Sequence, residues 1–232
     1  MNNKKILLVG GCGFIGHNLA IHLKKRGADP VIVDSLAVNN ILSFADNNIK
    51  NKKLYSSILN NRIELLNIHE IKLIIQDARD YHAISKIYHE IKPEIIIHLA
   101  AVSHANKSNK DPHSTFDHSF RTLENTLDYA KKNKTHTIYM SSSMVYGNFD
   151  SEDVKEERIC KPIGIYGTLK YSGELLVKAY RDIFDLPYTI IRPSALYGER
   201  CVSRRVGQIF IENAIQNLDI SINGNGEEKL DF

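Results

Sequence analysis

The sequence has few cysteines and almost no excess of charge. Its three cysteines, Cys12, Cys160 and Cys201, are an odd number without paired spacing, so they predict neither a disulfide framework nor a zinc site. We therefore expect a reducing, cytoplasmic environment. With 30 basic and 27 acidic residues the net charge is +3, which is too small to indicate nucleic-acid binding, although it suits an anionic small molecule.

Long apolar stretches are missing as well. No segment approaches the roughly 18 apolar residues that a membrane span requires. The apolar run that follows the basic residues near the N-terminus stops at a glycine cluster, which predicts a buried strand rather than a signal peptide. We expect no association with membranes.

What the sequence does contain is a regular alternation of apolar, β-branched runs with helical patterns. Continuous apolar runs indicate strands covered on both faces, as in a parallel sheet, and apolar residues recur at helical spacing between them. This order predicts an α/β fold, a Rossmann-type doubly wound parallel sheet with helices on both faces. The predicted strands lie at 5–10, 30–34, 72–77, 94–101, 136–142 and 188–194, and the helical stripes are Ile15-Leu19-Leu23, Ile84-Ile87-Ile91 and Leu175-Ala179-Ile183.

Two segments depart from this rhythm. Residues 39–67 hold eight asparagines and scattered lysines, and we interpret them as a surface insertion with room for a short helix. The tail from 221 to 232 combines turn residues with what resembles the start of another strand. We expect residues 1–194 to form a dinucleotide-binding domain and 195–232 to begin a substrate-binding lobe that is incomplete in this chain.

The first candidate site is the glycine-rich stretch "VGGCGFIGHNL". It places Gly10, Gly13 and Gly16 after the first strand and at the start of the first helix. Glycine allows a tight turn and a close approach of the backbone, and a helix N-terminus offers free N–H groups and a positive dipole end to a pyrophosphate. An acidic residue, Asp34, ends the second strand, and this context favours dinucleotide binding over a simple turn.

Two acidic residues at strand ends refine this hypothesis. Asp34 is predicted to accept hydrogen bonds from the adenosine ribose, and its charge would repel a 2′-phosphate, which favours NAD over NADP. Capping of a helix is the alternative role for such an aspartate. Asp77 ends the third strand, where its carboxylate can meet the adenine amino group.

The second candidate site is the pair Tyr166 and Lys170 in "PIGIYGTLK". Four residues apart on a helix, the two side chains share one face, so the ammonium is expected to favour the phenolate and turn a poor base into a useful one. The spacing alone is common on solvated helix faces. Its position matters, because Ser141, Ser142 and Ser143 end the fifth strand at the sheet edge where such folds bind ligands.

The ordered motifs GGCGFIG, Asp34, QDARD, HLAA, SSSMVYG, YGTLK and RPSALYG resemble those of the extended short-chain dehydrogenase/reductase family, in particular its NAD-dependent nucleotide-sugar epimerases and dehydratases. The resemblance implies NAD as cofactor, Tyr166 as catalytic base, Ser142 as hydroxyl donor and Lys170 as a further contact to the nicotinamide ribose. It also implies a homodimer. The implied cofactor-binding residues are Gly10, Gly13, Phe14, Ile15, Gly16, Asp34, Asp77, Ala78, Leu99, Ala100, Ala101, Tyr166 and Lys170.

The residues after Ser142 bear on which reaction is expected. In the 4,6-dehydratases of the family the hydroxyl residue is followed by Asp-Glu, whereas here Ser143 and Met144 follow and neither can shuttle a proton. This favours epimerisation of a nucleotide-diphosphate sugar at C4, with Ser142, Ser143, Tyr166 and Arg192 expected to contact the sugar substrate. The alternatives are another reaction of the family (dehydration, decarboxylation or reduction) or a non-catalytic NAD-binding protein.

Some features limit or narrow these expectations. His118, Ala195 and Ser103 stand where the family has asparagine, asparagine and often lysine, so the identity of the substrate stays open. The spacing of the histidines fits no usual zinc pattern, and we expect no metal site. Cys12 lies inside the glycine loop, where packing of a small residue is favoured over reactivity.

Overall fold

The fold is a six-stranded parallel sheet covered by helices, as a computed structural model describes it for residues 3–44, 51–103, 105–148, 154–203, 205–222 and 224–225. All six predicted strands are present, because each continuous apolar run is long enough to cross a sheet that is buried on both faces. The strands are β1 Lys5–Val9, β2 Asp29–Asp34, β3 Lys72–Ile75, β4 Ile95–His98, β5 His136–Met140 and β6 Tyr188–Ile191.

The strand order is β3-β2-β1-β4-β5-β6. Consecutive strands run outward from β1 on one side, and the chain then crosses to the other side to add β4, β5 and β6. In register, Leu7 of β1 lies beside Val31 of β2 and Ile96 of β4. The carboxyl ends of β1 and β4 therefore flank the point where the strand order reverses, which is where a doubly wound sheet opens a crevice for ligands.

Helices cover both faces of the sheet, and alternate strand residues form two cores. On one face Leu7, Ile96 and Leu123 belong to a buried cluster, and on the other face Leu8 and Ile32 belong to a second. This alternation follows from the two-residue period of a strand. The helices are α1 Phe14–Lys25, α2 Lys52–Ile68, α3 Tyr81–Ile91, α4 Ala105–Lys110, α5 Pro112–Phe116, α6 Thr122–Asn133, α7 Gly164–Phe184 and α8 Val206–Ile215, with a π-helical turn at Asp117–Arg121 and 3-10 turns at Ile41–Phe44 and Ser143–Tyr146.

Residues 39–67, interpreted as a surface insertion with room for a short helix, contain a longer helix than expected. Helix α2 has 17 residues, and one side of it is buried through Tyr55, Leu59, Arg62 and Leu66. These positions fit a helical stripe, but the arginine in the middle of the stripe hides it in the sequence. Residues 45–50 of this segment lie outside the described residues.

Helix α7 is confirmed, but its predicted apolar stripe does not face the core. Leu175 and Ile183 are exposed, whereas the buried side of the helix carries Lys170, Glu174 and Val177. Polar side chains therefore point towards the carboxyl edge of the sheet. The predicted strand at the end of the chain, after Gly226, lies outside the described residues.

Candidate active site

A cleft of about 290 Å³ lies at the carboxyl edge of the sheet, on the reversal point of the strand order. It is formed by the loops that follow all six strands together with the first turns of α1 and α7. Every predicted cofactor-binding residue and both predicted serines line it, whereas Arg192 does not. The predicted residues that line it are Gly10, Gly13, Phe14, Ile15, Gly16, Asp34, Asp77, Ala78, Leu99, Ala100, Ala101, Ser142, Ser143, Tyr166 and Lys170.

The glycine loop is packed too tightly for side chains at two of its three glycines. A Cβ on Gly10, which has φ +75°, would lie 2.6 Å from the backbone nitrogen of Ala100, and one on Gly16 would overlap the carbonyl oxygen of Gly11. Gly13 begins α1 without a side-chain cap, and the first turn of the helix has no acidic residue. The positive end of the helix therefore faces the cleft unopposed, which fits a pyrophosphate.

Asp34 fixes the shape of this loop. Its side chain is 9% exposed, and its two oxygens accept hydrogen bonds from the backbone nitrogens of Cys12, at 2.9 Å, and Leu36, at 2.7 Å. Burial raises the pKa of this carboxyl group, and the two backbone hydrogen bonds act in the opposite direction. Asp34 thus holds the glycine loop to the end of β2 while it lines the cleft, and its contact with a ribose stays a prediction.

Asp77 is part of an ion-pair chain at the far end of the cleft. The guanidinium of Arg79 lies 2.6 Å from the Asp77 carboxylate and 2.9 Å from that of Asp117, and the hydrogen bonds from Arg79 lower the pKa of Asp77. The side-chain amide of Asn125 donates to the carbonyl oxygen of Ala78 at 2.8 Å. These contacts hold the Asp77-Ala78 turn in place.

Tyr166 and Ser142 meet inside the cleft. The Tyr166 ring is partly buried and lies beside the side chain of Ser142, whose oxygen accepts a hydrogen bond from the backbone nitrogen of Met144 at 3.2 Å. Burial raises the pKa of Tyr166; the groups that offset this are Ser142 and the charge of Arg205, not Lys170 as the spacing predicted. The expected lowering of the phenol pKa by Lys170 is therefore wrong for this arrangement.

Lys170 is engaged elsewhere. It is 5% exposed, its ammonium donates to the carbonyl oxygen of Met140 at 2.7 Å, and it lies 5.3 Å from the centroid of the Tyr139 ring. Burial lowers its pKa to about 8. Lys170 therefore attaches the helix that carries Tyr166 to the strand end that carries the serines, and it keeps a cation within the wall of the cleft at neutral pH.

The structure does not bring Arg192, a predicted substrate contact, into the cleft. Its guanidinium pairs with the buried carboxylate of Glu174 at 2.6 Å and donates to the hydroxyl of Tyr146 and the carbonyl oxygen of Glu156, each at 2.9 Å. These partners lie behind the cleft, so the arginine supports its wall without lining it. Ser141 lines the cleft, but its hydroxyl is engaged, since it donates to Glu174 at 2.5 Å.

Sequence reasoning missed two buried charged residues beside the site. Arg62 of α2 lines the cleft and is 1% exposed, and its guanidinium donates to the carbonyl oxygen of Arg200 at 3.1 Å. Its place in the stripe with Tyr55 and Leu59 is the signal that it is buried. Glu174 lies four residues after Lys170, so helical periodicity places it on the same face.

Two further side chains in the described part of the chain, Cys12 and His98, are poorly suited to catalysis at neutral pH. Burial raises the pKa of Cys12 to about 11, which makes the thiol a poor nucleophile at neutral pH. Burial lowers the pKa of His98 to about 3, so its ring stays neutral beside Thr126. The described residues contain no group of three potential metal ligands and no helix that is long and apolar enough to span a bilayer.

Comparison with known proteins decides the family. A family model described as the NAD-dependent epimerase/dehydratase family matches residues 6–232. The chain belongs to this family. The resemblance drawn from the motifs is thereby confirmed, and NAD is the cofactor for which the NAD-dependent epimerase/dehydratase family is named.

Relatives within the family carry more than one activity in their names. A Methanocaldococcus jannaschii protein named for UDP-glucose 4-epimerase activity is 31% identical over 232 residues, which is 98% of this chain and 68% of that protein. A dTDP-D-glucose 4,6-dehydratase of Dictyostelium discoideum is 28% identical and covers 100% of this chain, which spans 54% of it. The chain thus spans between about half and two thirds of these two family members.

Two solved structures of family members share the fold closely. UDP-glucuronic acid 4-epimerase from Bacillus cereus, in complex with UDP-glucuronic acid and NAD, superposes with a TM-score of 0.83 at 26% identity, over 98% of this chain and 68% of that one. UDP-glucose 4-epimerase from Thermotoga maritima, with UDP-glucose, gives a TM-score of 0.80 at 26% identity over 96% and 67%. The α/β fold class is therefore confirmed.

Proposed function

We propose that the chain catalyses the NAD-dependent epimerisation of a nucleotide sugar at C4. The observation that carries this proposal is the distribution of acids in the cleft. Among the described residues that line it, the only acidic ones are Asp34 and Asp77, at the ends of β2 and β3. Ser142 follows β5, on the opposite side of β1 from these two acids. The next residues, Ser143 and Met144, supply no acid–base pair for the elimination of water.

The geometry supports a base and a hydroxyl donor acting on one sugar oxygen. Tyr166, as phenolate, takes the proton from the 4-hydroxyl, while the Ser142 hydroxyl holds the same oxygen by a hydrogen bond. NAD, when bound, supplies the acceptor for the hydride that leaves C4 and returns it to complete the cycle. Tyr166 gives the proton back after the keto sugar has presented its opposite face.

The same cleft offers a set of contacts for the cofactor. The glycine loop leaves room for a pyrophosphate beside the N-terminus of α1 at Gly10, Gly13 and Gly16. Phe14 and Ile15 are the first two residues of that helix and also line the cleft. Asp34 is placed for the adenosine ribose, and Asp77 with Ala78 for the adenine. The cofactor contacts proposed for the middle of the cleft are Leu99, Ala100 and Ala101, and those at its reacting end are Tyr166 and Lys170.

The substrate class is proposed from the relatives together with the shape of the site. Solved family members are described with UDP-glucose and UDP-glucuronic acid, and both are nucleotide-diphosphate sugars. Ser143, beside Ser142 on the 3-10 turn, lines the cleft where the sugar would lie. We propose Ser142, Ser143 and Tyr166 as sugar contacts; Arg192 is not among them.

A panel of nucleotide sugars tests the proposal. The purified chain, supplied with NAD, is offered UDP-glucose, UDP-glucuronic acid and dTDP-glucose, and the products are separated and compared with standards. We expect the C4 epimer of at least one of them and no dehydrated sugar. A 4-keto-6-deoxy product would instead show a dehydratase, and NAD binding without turnover of any nucleotide sugar would show a non-catalytic NAD-binding protein.

A further inference from the structure

A buried carboxylate lies directly behind the reacting end of the cleft. Glu174 of α7 is 0% exposed, and its oxygens accept hydrogen bonds from the Ser141 hydroxyl at 2.5 Å and from Nε and Nη2 of Arg192 at 2.8 Å and 2.6 Å. A charge in such a place is tolerated only when it is paired and hydrogen-bonded. Its partners come from the ends of two strands, so Glu174 joins three elements.

Lys170 and Glu174 attach α7 to two successive residues at the end of β5, Met140 and Ser141. Lys170 donates to the carbonyl oxygen of Met140, and one helical turn later Glu174 accepts from Ser141. The next residue along the chain is Ser142. Backbone hydrogen bonds from Ser141 to Ile191, at 2.8 Å, and from Ser143 to Pro193, at 2.9 Å, hold this segment to the end of β6. The two attachments to α7 add an anchor on the side of Tyr166, and through it they help to orient the Ser142 hydroxyl.

Arg192, the ion-pair partner of Glu174, contacts the segment that follows Ser142 and the segment that precedes α7. Arg192 donates to the hydroxyl of Tyr146, with its guanidinium 4.9 Å from the centre of that ring, and to the carbonyl oxygen of Glu156. Tyr146 ends the 3-10 turn that follows Ser142, and Glu156 lies on the stretch that leads into the first turn of α7. One arginine thus contacts both segments that carry the reacting hydroxyls.

We propose that Glu174 and Arg192 are positioning residues that keep the Ser142 hydroxyl within hydrogen-bond reach of Tyr166. The pair itself does not line the cleft. The proposal deepens the function proposed above and rests on it for its kinetic consequences. Its structural consequence, the order of the segment around Ser142, is independent of any activity.

The first test measures that order by amide hydrogen exchange in two variants. Glu174→Gln keeps the shape of the side chain and removes its charge, and Ser141→Ala leaves the ion pair and removes only its link to β5. In Glu174→Gln we expect exchange of residues 139–148 to become roughly 10-fold faster or more while residues 5–9 of β1 keep their protection. Ser141→Ala should give a smaller increase in the same segment. Equal loss of protection in both segments, or no change in either, would overturn the proposal.

The second test uses turnover of UDP-glucose as the probe reaction. Glu174→Gln is expected to lower kcat roughly 10-fold or more with little change in KM, because misplacing a reacting group slows the chemical step. The acidic limb of the pH profile should move to higher pH, since the hydrogen bond from Ser142 lowers the pKa of Tyr166. A folded Glu174→Gln enzyme with unchanged kcat and pH profile would contradict the proposal.

A matched control removes a charge of the same kind elsewhere. Asp128 on α6 pairs with Lys131 at 2.5 Å, and neither residue lines the cleft, so Asp128→Asn should leave kcat and the exchange of 139–148 unchanged. The two proposals fail in different ways. If the unmodified chain turns over no nucleotide sugar, the proposed function is wrong, while the exchange experiment still decides the role of Glu174 and Arg192.

Discussion

Lys170 is a lysine whose charge is costly to keep in the folded chain. Burial lowers its pKa to about 8, below the ordinary value of about 10.4. Between these two values the unfolded chain binds more protons at this residue than the folded chain does, so folding becomes more favourable as the pH rises. Below pH 8 the full cost of the buried ammonium is present.

We predict that this cost can be measured by comparing the native chain with the variant Lys170→Met, because methionine has a side chain of similar length without a charge. As the pH is raised from about 8 to about 10, the free energy of unfolding of the native sequence should increase relative to that of the variant, by up to about 3 kcal/mol. Urea unfolding at a series of pH values measures the difference. A difference that does not vary with pH would mean that the folded lysine titrates at its ordinary value.

Tyr166 is the residue on which the proposed reaction depends. We predict that Tyr166→Phe lowers turnover by at least about 100-fold, the usual loss for a general acid–base group. The ring still lines the cleft in this variant, so NAD binding, measured by calorimetry, should persist. Tyr180→Phe is the matched control on the same helix, because that ring packs on Phe184 and does not line the cleft. Normal turnover in Tyr166→Phe would contradict the proposed mechanism.

At the scale of an element, the junction between the glycine loop and α1 depends on close backbone contact. A Cβ at Gly16 would overlap the carbonyl oxygen of Gly11, which is part of the backbone and cannot rotate aside. We predict that Gly16→Ala costs about 1–3 kcal/mol of stability and weakens NAD binding, because loop and helix must separate. Thermal unfolding and calorimetry with NAD measure the two effects.

Gly207 provides the contrast. It lies in α8, where a methyl group added to its Cα would meet nothing within 4 Å, so Gly207→Ala should leave NAD binding unchanged and either preserve or slightly raise stability. If both alanine variants behave alike, the tight packing of the loop is not what makes Gly16 sensitive.

The elements differ in how far the sequence predicted them. The six strands were predictable because each contains a continuous apolar run, which is largely buried in β1, β2 and β4 and partly exposed in the edge strands β3 and β6. Helix α2 was not, because Arg62 interrupts its apolar stripe, and its burial is explained by hydrogen bonds to the carbonyl oxygens of Cys12 and of Arg200, 138 positions away. The sequence also predicted the wrong buried side for α7, because the side that is buried carries the polar residues Lys170 and Glu174.

The site shows the same division. Loop glycines, strand-end acids and the Tyr166–Lys170 spacing follow local rules, and the structure places all of them in the cleft. The pairing of Arg192 with Glu174 was not predicted, because the two residues lie 18 positions apart in sequence on different elements. Burial of the Tyr166 ring, which decides the direction of its pKa, is likewise a property of the packed molecule.

At the scale of the whole molecule, helix α2 joins the cofactor side of the sheet to the C-terminal segment. Val202 packs against Tyr55 and Leu59, and Glu212 of α8 is 6% exposed. The Glu212 carboxylate accepts a hydrogen bond from the Tyr55 hydroxyl and one from the Gln208 amide at 2.9 Å. Polar and apolar contacts together thus dock residues 198–203 and 205–215 on α2.

We predict that Tyr55→Phe loosens this docking. Loss of a hydrogen bond to a buried carboxylate should cost about 1–3 kcal/mol, and limited proteolysis within residues 198–215 should become faster. The control is Tyr81→Phe, since the Tyr81 hydroxyl donates at 2.8 Å to Asp128 in an exposed position. Equal cleavage rates in the two variants would show that α8 does not depend on the buried contact.

The contact between Arg62 and Arg200 has a consequence for how the protein assembles during its synthesis. The two residues are 138 positions apart. At a ribosomal rate of about 5–20 residues per second, roughly 7 to 28 seconds pass between the appearance of the guanidinium and that of the carbonyl that it will hold. For that interval the nascent first half of the sheet carries a guanidinium that lacks its Arg200 acceptor, so a later segment of the chain completes the wall that an earlier one begins.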